Sequence, residues 1–181
     1  MQVAILGLGN ILMGDDALGP HVIAHLIAGY DFPPEVVVED LGTPGLDLHP
    51  HLAGHDVLIL VDVVKSQGEA GELRIYDKEQ ILKHAPGPRV SPHDPGVKEA
   101  LLGLQFAGND PAEVLLVGVI PDETSQLEVG LSAPVRAAIP VAEAAVLAEL
   151  TRLGLAAVAR QPRPEPDIWW ENPPTGAGDG P

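Results

Sequence analysis

Cysteine is missing from all 181 residues. Disulfides, thiolate metal ligands and a cysteine nucleophile are therefore excluded. Basic residues are scarce: 10 lysines and arginines stand against 26 acids, a formal net charge of −16. A surface of that sign repels phosphate backbones and anionic bilayers, so neither nucleic acid nor a membrane is expected as a partner. A cation, or a protein with a basic segment, suits it better. Aromatics number only two each of Trp, Tyr and Phe, so any core must be aliphatic. Long hydrophobic runs are also lacking. The most apolar stretch, DVLILVDVV at 56–64, is far too short to span a bilayer. The opening MQVAILGLGN has no basic n-region and no small-residue cleavage site, and a cytoplasmic location is expected.

What is present is a chain long enough for one domain with a real core. Residues 2–8 form a short apolar run closed by Gly9 and Asn10, which reads as a buried strand. Residues 17–28 read as a helix, with Pro20 tolerated in its first turn and Gly29 placed to end it. Further strands are expected at 36–39, 56–64, 71–77 and 113–120, and helices near 46–53, 78–84 and 97–105. A long last helix should start at a Ser132 N-cap, be kinked or interrupted at Pro140, and stop near Gly154. Buried strands alternating with helices imply an α/β fold of three αβα layers, with a mostly parallel twisted sheet of about five strands. Residues 1–158 are expected to form this domain. Residues 159–181, rich in proline and glycine, are expected to be a disordered tail. That tail holds Trp169 and Trp170, which either dock on the domain or serve as a short partner-binding motif.

In open α/β sheets, ligands collect beyond the carboxyl ends of the strands. Three features fall there: Asp15 and Asp16 after the first strand, Asp62 at the end of the 56–64 strand, and His93 in a loop before a helix. Two carboxylates and an imidazole can converge on one ion. An O,O,N set without sulfur suits zinc, nickel or manganese and leaves positions open for water or substrate. Adjacent side chains diverge at a helix start, so one of the two acids faces the site; Asp16 is chosen, leaving Asp15 as an N-cap. The competing reading of the pair is helix capping alone. Asp62 interrupts a buried apolar run, so it must be paired, coordinated or placed at a solvent edge. His93 taken alone is equally a hydrogen-bonded loop histidine.

A dinucleotide loop is the rival reading of Gly7-Leu8-Gly9, with Asp40 where a ribose-binding acid belongs. It lacks the third glycine that permits close helix–strand packing, and its acids would repel pyrophosphate. His51 and His55 are four apart, as zinc ligands can be, but Gly54 weakens the helix and no glutamate intervenes; a solvated helix end is the simpler reading, His49 included. No G-x-S-x-G elbow occurs.

The pieces GLGNILMGDDALG (7–19), DLGTPGLDL (40–48), LILVDVV (58–64), SPHDPG (91–96) and VGVIPDE…GLSAPV (117–135) occur in that order. Together they resemble the nickel-iron hydrogenase maturation endopeptidases, over nearly the whole chain to about residue 154. The resemblance implies a hydrolase that removes a C-terminal extension from a hydrogenase large-subunit precursor once nickel has been inserted. It implies Asp16, Asp62 and His93 as the metal-contacting and catalytic residues, the nickel being supplied by the substrate and no organic cofactor being needed. Asp16 is a shorter variant of a position that is Glu or Asp in the family. The GTPG turn at 42–45 matches a segment lying near the cleft. A monomer is expected, because a precursor must reach that cleft. The alternatives are a non-catalytic, nickel-dependent checkpoint or chaperone for the same precursor, and a Rossmann-like nucleotide-binding protein.

Overall fold

The apolar runs of the sequence become neighbouring strands. In the computed structural model, which describes residues 1–44, 48–83, 96–122 and 129–171, β1 (Val3–Gly7), β3 (Val36–Asp40), β4 (Val57–Val63) and β6 (Glu113–Val119) lie parallel. The five-stranded sheet has the order β3-β1-β4-β6-β5, closed by β5 (Leu73–Asp77), which runs antiparallel to β6. The most apolar strands, β1 and β4, take the positions buried on both faces. β5, which carries Arg74 and Asp77 and is only partly buried, is left at an edge, where one side can meet water.

Side-chain alternation divides the core into two layers. Val3, Ile5, Ile59, Val61 and Val117 point to one face and are covered by α1 (Leu18–Gly29) and α5 (Ala133–Arg152). Leu6, Leu58, Leu60 and Leu116 point to the other, beneath α2 (Leu48–Leu52), α3 (Lys78–Lys83) and α4 (Val97–Ala107). This is the αβα sandwich implied by the sequence. Pro20 occupies the third position of α1, where it removes no intrahelical bond. Of the two outcomes expected at Pro140, interruption does not occur: the helix runs from Ala133 to Arg152 with Pro140 inside it. Pro140 is exposed, so the carbonyl it leaves without an N–H partner can turn to water.

The larger departure is at the end of the chain. Residues 159–171, expected to be a disordered tail, lie against α1 and α5, and the anticipated boundary at 158–159 falls within a strand. β7 (Val158–Ala159) pairs antiparallel with β2 (Tyr30–Asp31). Arg160 Nε donates to Asp31 Oδ1 at 2.8 Å. Arg163 donates to the buried Glu143 carboxylate at 2.5 Å, with its guanidinium 5.6 Å from the Tyr30 ring centroid. Trp170 is only 9% exposed and meets His21 edge-on, the centroids 5.2 Å apart. Glu171 closes the segment against Arg136 at 2.6 Å. A few large anchors hold a proline-rich segment that has little chain entropy to lose, which average composition does not register. Of the two tryptophans, Trp170 is thus docked, whereas Trp169 is largely exposed. Residues 172–181 lie outside those described.

Candidate functional site

The carboxyl ends of β1 and β4 define one edge of the sheet. Gly7 and Val61 are register partners, and the chain continues the pairing as Leu8 N–H donates to the Val61 carbonyl at 2.9 Å. The loop that follows β1 is built by its own polar groups. Gly9 N–H donates to the Gly42 carbonyl at 2.9 Å, tying the loop to the turn after β3. That contact brings the GTPG turn beside the opening loop; of it, residues 42–44 are described. Asn10 Oδ1 accepts Leu12 N–H at 3.0 Å, an Asx turn, while Asn10 N–H donates to Asp16 Oδ2 at 2.8 Å.

Two glycines are required by contact. Gly9 has φ +134°, and a Cβ there would lie 1.7 Å from the Asp16 carbonyl oxygen. Gly19, in the first turn of α1, would place a Cβ 2.2 Å from the Leu8 carbonyl and 2.7 Å from that of Val61. Close helix–strand packing is therefore present, supplied by Gly19, although the sequence lacks the third glycine of the dinucleotide fingerprint. Its position beyond the fingerprint spacing conceals that role in the sequence.

Asp15 and Asp16, in the 3-10 turn Gly14–Ala17, point in different directions. Asp15 is 1% exposed and, contrary to expectation, is not the N-cap of α1; Ala17 holds that position without a side-chain cap. The Asp15 carboxylate instead accepts Ser132 N–H at 2.7 Å, the Ser132 hydroxyl at 2.8 Å and Asp122 N–H at 2.8 Å. Ser132 in turn stands at the N-cap position of α5 but makes no side-chain cap, its hydroxyl being given to Asp15. Asp16 is half-buried at the same edge, its carboxylate held by the Asn10 amide.

Asp62 lies on β4 one residue past Val61 and is 4% exposed. Its Oδ1 accepts Val63 N–H at 2.9 Å. By strand alternation it follows Leu58 and Leu60 onto the α2–α4 face. Asp62 thus stands near the carboxyl end of β4, and Asp16 in the turn that follows the carboxyl end of the adjacent parallel strand β1. His93 lies outside the described residues, and among the described residues no group of three His, Cys, Asp or Glu side chains is placed to hold a metal ion. Among the described residues the other histidines form no such group: α2 ends at Leu52, so His51 and His55 share no helical face, and His51 Nδ1 is 4.0 Å from Glu39 Oε2. Asp40, the candidate ribose acid, accepts Gly42 N–H at 2.9 Å and so serves the turn after β3.

A mostly parallel sheet with helices on both faces, with Asp62 near the carboxyl end of β4 and the Asp16 turn following the carboxyl end of the adjacent β1, defines an α/β protein whose candidate site lies at the strand ends. The chain belongs to the hydrogenase maturation protease family, whose model matches residues 20–149, a range that begins after Asp16 and includes Asp62 and His93. It is 36% identical to the hydrogenase 2 maturation protease of Escherichia coli (strain K12) over 162 residues, 89% of this chain and 98% of that protein. The fold superposes on the solved E. coli hydrogenase maturating endopeptidase HybD with a TM-score of 0.80 at 35% identity, covering 88% of this chain and 98% of that one. It is also similar to the [NiFe] hydrogenase maturation protease HycI of Thermococcus kodakarensis KOD1, with a TM-score of 0.60 and 26% identity over 83% of this chain and 92% of the other.

Proposed function

We propose that this chain is a hydrolase, an endopeptidase that removes a C-terminal extension from the large-subunit precursor of a nickel-iron hydrogenase after nickel insertion. The observation that supports this reading is the position of Asp62 near the carboxyl end of β4 and of Asp16 in the turn beyond the carboxyl end of the adjacent β1, in a chain of the hydrogenase maturation protease family. With His93 they make an O,O,N donor set for nickel, which here is cargo of the substrate rather than a resident cofactor. Anchoring the precursor through its metal sets the scissile bond beside a polarised water. The enzyme then tests for a completed metal site before it cuts. A carboxylate engaged on a cation is a weak base, so Asp16 and Asp62 act first as recognition groups. No organic cofactor enters this scheme. The protein works as a cytoplasmic monomer, with the cleft open to a folded precursor. Among the described residues no helix is long and apolar enough to cross a membrane.

The test is processing of nickel-loaded precursor by Asp62→Asn and His93→Ala. The side-chain carbonyl of the Asp62→Asn variant can still accept the Val63 N–H, so local structure is kept while the charge is removed. Each variant should lose cleavage altogether; full activity in either one removes that residue from the site.

A further inference from the structure

Asp15 is a buried acid that the mechanism leaves unused, and its contacts reach across more than a hundred residues of sequence. Asp15 joins three separate parts of the chain at one carboxylate. The first is the opening loop, through its own place beside Asp16. The second is the exit of β6, through Asp122 N–H at 2.8 Å, 107 residues away. The third is the start of α5, through the Ser132 amide at 2.7 Å and hydroxyl at 2.8 Å, 117 residues away. β6 is the parallel neighbour of β4, with Asp62 opposite Gly118, so the chain leaving β6 emerges beside the strand that carries Asp62. Both ends of the connection from β6 to α5 are therefore fastened at one point, next to the loop that presents Asp16. The N-terminus of α5 favours a negative charge there, and bonds from amides to an ionised carboxylate are among the stronger ones available.

We propose that Asp15 is a positioning residue for the reaction: it fixes the exit of β6 at Asp122 and the start of α5 at Ser132 relative to the Asp16 loop, without itself touching substrate. This rests on the endopeptidase reading. Other arrangements can keep a fold while losing such a setting, and displacement of a reacting group by about 1 Å is enough to cost roughly 100-fold in rate. Ser132 is a graded control, because S132A removes one donor and leaves both amide bonds to Asp15.

The experiment is single-site kinetics on nickel-loaded precursor for the wild type, S132A and D15N, at a temperature where thermal melts show each fully folded, together with amide hydrogen exchange at Asp122 and Ser132. In D15N one carboxylate oxygen becomes an NH2 that cannot accept, so at least one of the three donors loses its partner. The expected result is a kcat lowered about 10- to 100-fold in D15N with KM changed less than about threefold, a much smaller fall in S132A, and faster exchange at one or both of these amides in D15N. Wild-type kcat in D15N overturns the proposal, as does a loss confined to KM or unchanged exchange at both amides. Failure of the wild type to cleave would instead count against the endopeptidase reading, and the exchange measurement would still decide whether Asp15 is the clamp.

Discussion

Acidification should loosen the packed C-terminal segment through one histidine. His21 on α1 is wholly buried, and its Nε2 accepts the Trp170 indole N–H at 3.3 Å. That bond requires Nε2 to be unprotonated. Burial lowers the His21 pKa from its ordinary 6.5 to about 4, with Arg136 on α5 and His25 on α1 adding to the fall and Glu171 opposing it. In the unfolded chain the imidazole takes its proton near 6.5, whereas in the folded chain it resists until about 4. The stabilisation is therefore complete above the upper value and is lost progressively as pH falls to the lower one. Integrated from about pH 7.5 to about pH 5, the loss is about 2 kcal/mol, or roughly 4–8 °C in melting temperature for a domain of this size. Urea unfolding of the wild type and His21→Gln at the two pH values isolates this contribution, since all other groups titrate in both proteins. Both tryptophans lie in the docked segment, so fluorescence reads its release while far-UV circular dichroism reads the helices. The wild type should lose about 2 kcal/mol more than the variant on acidification. Parallel losses in the two proteins would refute the assignment of His21 as a buried neutral group.

Two further perturbations address the loop and the segment. Gly9→Ala must move either the opening loop or the Asp16 carbonyl, given the 1.7 Å approach, and should reduce precursor processing at least tenfold in a folded protein; unchanged kcat would show that the loop geometry is dispensable. Arg163→Ala leaves the 5%-exposed Glu143 carboxylate without this cation and should lower stability by about 2 kcal/mol in urea unfolding, with partial recovery in Arg163→Ala/Glu143→Gln; a double mutant no better than the single would deny the coupling.

The central architecture is legible in the sequence because period and burial agree. The runs at 2–8, 56–64 and 113–120 are apolar on both alternating faces, which only an interior parallel strand satisfies, and they form β1, β4 and β6. Asp16 and Asp62 can be placed at one sheet edge because strand ends are readable from where such runs stop. Asp15 reads as a local cap because its partners, Asp122 and Ser132, are more than a hundred residues away. The same distance hides why Ser132 sits at a cap position without capping. The segment from residue 159 misleads for a different reason. Its prolines and glycines dominate the composition, while Arg160, Arg163 and Trp170 supply the anchoring contacts. Gly19 carries a packing role recognisable only once α1 is seen against Leu8 and Val61.

The most direct test of the account is the intact mass of the hydrogenase large-subunit precursor after incubation with this protein, with and without nickel in the precursor. Loss of one C-terminal peptide is expected from the nickel-loaded form alone. An unchanged mass for the nickel-loaded precursor, with the protein bound to it, would contradict catalysis, and equal cleavage of both forms would contradict recognition of the metal.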